Sequence, residues 1–199
     1  MTPTRCLLFV LLAPSLVRAD EAWERFSDKE GVTVDWRKVD GARVREIRAT
    51  GTIDQPLAKL VTVLRDIEHW PEFMPPTESV EVYEDHGDLR RMHVTINPAL
   101  VSRRDYCVEV TWKVGQTSAA SDWFQIQPGC PPPKKGVVRH LRTDGTWRLR
   151  ALDAGHTFIE YQAVTDPAGN LPAWMVDRAT AKTMRGMFHS LARRAAQLP

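Results

Sequence analysis

The chain has 199 residues, with 27 Lys+Arg against 25 Asp+Glu and 43% hydrophobic residues including seven Trp. That length fits one domain with a substantial core. A net charge of +2 gives neither the electrostatic footprint of a nucleic-acid binder nor a polybasic patch for anionic membranes.

Residues 1–5 are polar with one basic residue, Arg5, and Cys6 to Val17 form a mostly apolar run of about twelve. The run is shorter than the roughly 18–20 residues needed to cross a bilayer. Val17 and Ala19 then stand at the two positions a signal peptidase reads, so 1–19 is expected to be a secretory signal cleaved after Ala19, leaving one domain over 20–199. Arg5 and Arg18 would leave with the signal, bringing Lys+Arg to 25 against 25 acidic residues. The expected product is exported, periplasmic or secreted, soluble and neutral. It keeps Cys107 and Cys130, which suggest one disulfide in an oxidising compartment. Two buried free thiols are the alternative. Two cysteines without a His cluster make no structural zinc site, and no cofactor is expected.

Glu21 to Asp28 is expected as a short amphipathic helix with Trp23 and Phe26 on one side. Gly31–Arg37 and Arg43–Ile53 alternate with the period of half-buried strands around an Asp40–Gly41 turn. Asp54–Gln55–Pro56 is expected to start a helix, with Asp54 as N-cap. Leu57, Leu60, Val61, Leu64 and Ile67 continue it at helical spacing, and Trp70–Pro71 should stop it. From residue 78 to 167 the pattern is strand after strand: 80–83 and 90–96 around an Asp85–Asp88 turn, then 105–113 and 121–127. Strands at 137–142 and 146–152 flank a hairpin signal at Asp144–Gly145, and 156–164 closes the series. Such spacing indicates an antiparallel meander. Pro128–Pro133, with three consecutive prolines, reads as a loop. Pro172 to Gln197 reads as one amphipathic helix of about 24 residues, roughly 36 Å long. Val176, Thr180, Met184, Met187, Leu191 and Ala195 fall on one face of it.

Three motifs carry a family resemblance. Val63–Met74 (VLRDIEHWPEFM) resembles the helix and turn found across the START and polyketide-cyclase superfamily. Arg103–Cys107 (RRDYC) is similar to the Arg-Asp-aromatic that opens a central strand in START domains. Asp166–Trp174 (DPAGNLPAW) resembles the turn leading START domains into their last helix, and is the most specific of the three. The resemblance implies an α+β helix-grip: a curved antiparallel sheet wrapped around a long C-terminal helix, with a tunnel for one apolar ligand. It implies a lipid or sterol-like guest, carriage between membranes and transient membrane contact. The best-known START domains are longer and cytosolic, whereas this chain is short and carries a signal-like segment.

The residues themselves favour binding over catalysis. A pocket for an apolar ligand needs large adaptable walls and few polar groups. The candidates are Trp70, Phe73, Met92, Arg104, Trp112, Trp147, Tyr161, Thr180, Met184, Met187 and Phe188. Ala179, Thr180 and Thr183 are small and would leave room for a guest beneath the helix. Arg104 reads either as a headgroup contact or as a salt bridge or strand-end contact. Arg104 and Asp105 cannot both line a pocket in a regular strand, because neighbouring residues face opposite sides. The six histidines are dispersed, and His69 and His189 are the two on helices that could meet the cavity. No metalloprotease, nucleophile-elbow, phosphate-loop or Cys-x-x-Cys motif is present. A cyclase- or aromatase-like enzyme on the same fold, and an envelope protein-interaction module, are the alternative readings.

Overall fold

The computed structural model describes residues 22–99 and 101–199. The expected signal segment lies outside the described residues. Ten strands form one curved, mainly antiparallel sheet: β1 (Glu24–Lys29), β2 (Val32–Arg37), β3 (Glu46–Ile53), β4 (Thr77–Asp85), β5 (Leu89–Ile96), β6 (Arg104–Val114), β7 (Ser118–Gln125), β8 (Val138–Arg139), β9 (Arg142–Ala151) and β10 (Thr157–Asp166). Their spatial order is β1-β2-β3-β10-β9-β7-β6-β5-β4, and β8 alone pairs in parallel, with β6. The meander from β4 to β10 is therefore joined to the first three strands by the β3–β10 pair. The sheet stays open between β1 and β4. Between β3 and β4 lie α1 (Leu57–Arg65), a 3₁₀ turn (Ile67–His69) and the single-turn α2 (Trp70–Phe73).

The C-terminal helix α3 (Ala173–Ala196) has the 24 residues its periodicity demands, and it packs against α1, α2 and the β1–β3 side of the sheet. Its apolar stripe divides. Met184, Met187, Leu191 and Ala195 are buried, while Val176 and Thr180 are only half-buried over a cavity.

Four local expectations are corrected. Residues 24–29 form a strand instead of a helix. A segment of about eight residues is too short for a stable isolated helix, and the open edge of β2 offers a ladder, in which Phe26 packs on Trp36 with ring centroids 4.5 Å apart. Asp54 does not cap α1; Pro56 is the N-cap residue and no side chain closes the end. Trp70–Pro71 starts α2 instead of ending α1, because proline is tolerated in a first helical turn, and α1 already stops at Arg65. Asp144–Gly145 is no hairpin: both residues lie within β9, where Asp144 accepts a hydrogen bond from the Gln125 backbone amide at 3.0 Å.

Cys107 and Cys130 are bonded, with Cα atoms 5.8 Å apart. The bond fixes the proline-rich loop to the outer face of β6. Arg139 reinforces it, donating to the Pro131 carbonyl at 2.7 Å and pairing with Asp105 at 2.7 Å.

Candidate ligand-binding cavity

The sheet's concave face and α3 enclose a cavity of about 1060 Å³. Alternation places it. Along β6, Arg104, Tyr106, Val108, Val110 and Trp112 face inward, and Asp105, Cys107 and Glu109 do not. The mouth is bordered by residues 38–45, 98–99 and 167–169 and by the first turns of α3, where Trp174 is 62% exposed.

Nine of the eleven pocket candidates line this cavity: Trp70, Met92, Arg104, Trp112, Trp147, Tyr161, Thr180, Met184 and Met187. Phe73 and Phe188 do not. Phe188 is fully buried against β3, where a Cβ added to Gly51 would stand 3.2 Å from its ring, so it fills the core behind the wall. Phe73 is half-buried under the Arg194 guanidinium, 5.6 Å from its ring centre. Of the small residues on α3, Ala179, Thr180 and Thr183 all border the cavity. His69 and His189 stay outside it. His69 bonds Asp66 at 2.6 Å, and His189 bonds the Glu30 carbonyl at 3.3 Å.

The wall is braced by a chain of rings. Trp123 meets Tyr161 at 5.4 Å, Tyr161 meets Trp147 at 4.8 Å, and Trp147 reaches Phe188 at 6.4 Å. These contacts run from the meander to α3 and hold the apolar surface in a fixed shape.

The polar groups of the wall are unevenly satisfied. Arg104 is buried, its Nε donating to the Pro167 carbonyl at 3.2 Å and its Nη1 to the Ser102 carbonyl. Asp105 faces the other way, held by Arg139 and by His93 at 2.9 Å. The two halves of the Arg-Asp motif thus serve different faces of β6. Sequence reasoning missed His140 and Ser121; with the indole nitrogen of Trp70, they are buried at the cavity with no hydrogen-bond partner among the described residues. Burial first, and the positive charge of Arg104 second, push the His140 imidazole down to about 4, so it is neutral at pH 7. Burial raises Tyr106 to about 12.

A sheet gripping a helix around an apolar chamber of this size defines a ligand-holding helix-grip protein. The family model described as polyketide cyclase / dehydrase and lipid transport matches residues 53–192, and the chain belongs to that family. An uncharacterized protein of Pseudomonas aeruginosa is 23% identical over 179 residues, covering 87% of this chain and 89% of that protein. The structure of a STAR-related lipid transfer protein from Xanthomonas axonopodis has a TM-score of 0.76 at 27% identity, covering 88% of this chain and 99% of that one. Human StAR-related lipid transfer protein 5 has a TM-score of 0.78 at 21% identity, covering 90% and 89%. The chain is START-like in fold and family.

Proposed function

We propose that this protein binds one lipid or comparable apolar molecule in the cavity and carries it, outside the cytoplasm, between membranes. The observation that carries the reading is the chamber of about 1060 Å³ with its wall of Trp, Met and Tyr side chains. Burying each CH₂ contributes about 0.8 kcal/mol, so burial of a long chain or fused-ring guest supplies ample affinity. The nine cavity-lining candidates are the residues proposed to touch it. Export is supported by the signal-like segment at 1–19, and the Cys107–Cys130 bond suits an oxidising compartment. The lipid-transfer names of the structural relatives support carriage.

The test is uptake of an apolar fluorescent dye by the purified protein, followed by displacement with lipid. Saturation near one dye per chain, reversed by lipid, is expected. A folded protein that takes up no dye would overturn the reading. Expression of the full chain in a Gram-negative host tests export: periplasmic protein lacking residues 1–19 is expected, and full-length cytosolic protein contradicts it.

A further inference from the structure

Two groups at one end of the cavity lack what their chemistry requires. Arg104 is 4% exposed and meets two backbone carbonyls, and no carboxylate pairs with it among the described residues. Asp166, in the same wall, is engaged through both oxygens by Arg43, at 2.6 and 2.7 Å, and accepts from the Ala168 amide. Asp105 belongs to the opposite face. His140 is 3% exposed, its ring stacks on Tyr106 at 5.0 Å, and neither ring nitrogen has a partner among the described residues. β8 brings the two together by pairing Val138 with Arg104 and Arg139 with Asp105, which puts His140 beside Tyr106.

A buried cation without a counterion and a buried imidazole without a hydrogen bond are both unfavourable. One oxyanion satisfies both, since the guanidinium offers a remaining N–H edge and neutral imidazole donates from one nitrogen. Over the cavity lining as a whole, among the described residues, seven basic side chains stand against three acidic ones, and Arg43, Arg45 and Arg90 already pair with Asp166, Asp177 and Asp85. We infer that Arg104 and His140 form an oxyanion subsite, and that the ligand is an amphiphile with a carboxylate or phosphate group at one end. The inference rests on the cavity reading above and specifies its ligand class.

The test compares a fluorescent polyene fatty acid with its methyl ester at pH 8, where the carboxylate is ionised, using the full chain. Hydrogen bonds to a charged group predict at least about tenfold tighter binding of the acid. Arg104→Gln and His140→Phe should each shrink the ratio of acid to ester affinity toward one, and His140→Gln should restore part of the preference. Equal binding of acid and ester by the unmutated protein overturns the subsite while leaving the cavity reading intact. Binding of neither overturns the cavity reading itself. A readout that needs no variant is the ¹⁵N spectrum of the His140 ring: a shift on adding the acid and none with the ester is expected, and no shift with the acid contradicts the subsite.

Discussion

Trp123 lies directly over Gly145, its cross-strand partner between β7 and β9. A Cβ at Gly145 would come closer than 3.0 Å to the Trp123 ring, the Gln162 carbonyl and the Ala163 side chain. The glycine is there for a close approach, which lets Trp123 reach Tyr161 and begin the ring chain that braces the cavity. Gly145→Ala should therefore overpack the wall and lower stability by about 1–3 kcal/mol. Urea unfolding checks this, and an unchanged midpoint contradicts it.

The Cys107–Cys130 bond closes a segment with a sequence separation of 23. Its loss should cost about 3 kcal/mol in the chain-entropy account. Thermal unfolding of the protein with and without reductant, alongside Cys107→Ser/Cys130→Ser, measures it. A melting temperature indifferent to reductant would show that the bond contributes nothing.

His140 should leave a mark on acid stability. Its folded pKa, about 4, lies below the ordinary value of 6.5. Between those values the unfolded chain binds a proton that the folded one does not, so stability rises with pH there. The protein should lose up to about 3 kcal/mol as pH falls from 6.5 toward 4, at about 1.36 kcal/mol per unit. His140→Phe should lack this component. Urea midpoints across the range measure it, and identical pH slopes for the two proteins would contradict the burial of a neutral imidazole.

Asp166 acts in the same direction lower on the pH scale. The Arg43 side-chain hydrogen bonds hold its carboxyl below the ordinary value of 3.8, against the opposing effect of burial. That stability is present above the unfolded pKa and is lost as pH falls through the folded one. Asp166→Asn should flatten this acid limb of the stability curve and loosen the loop that borders the mouth. An unchanged limb would show that the Arg43 pair does not contribute.

Much of the architecture was legible in the chain because long periodic segments speak for themselves. The stripe from Val176 to Ala195 specified α3, and the alternation along residues 105–113 specified β6 and its inward face. The failures were short or dual-purpose. Residues 24–29 became a strand because β2 lacked a neighbour, which only the tertiary structure reveals. Asp144–Gly145 looked like a turn because that dipeptide usually is one, but here the missing side chain accommodates an indole. His140 went unnoticed because its significance is the absence of partners, and absence of partners has no sequence pattern. Phe188 and Phe73 share helical apolar faces with true wall residues, so periodicity could not separate core from wall.

Thr180 stands over the cavity on α3, half-buried, with its hydroxyl donating to the Val176 carbonyl at 2.8 Å. Thr180→Trp should project a ring into the guest's space. Dye binding should weaken by about tenfold or more, with the circular dichroism spectrum unchanged. Full binding by the folded variant would place the guest elsewhere.

The most direct measurement of the central claim is native mass spectrometry of the protein purified without added lipid, with extraction and identification of whatever accompanies it. One amphiphile per chain is expected, released on unfolding and depleted in Thr180→Trp. A folded protein of bare-chain mass that also takes up no lipid on incubation would contradict the claim.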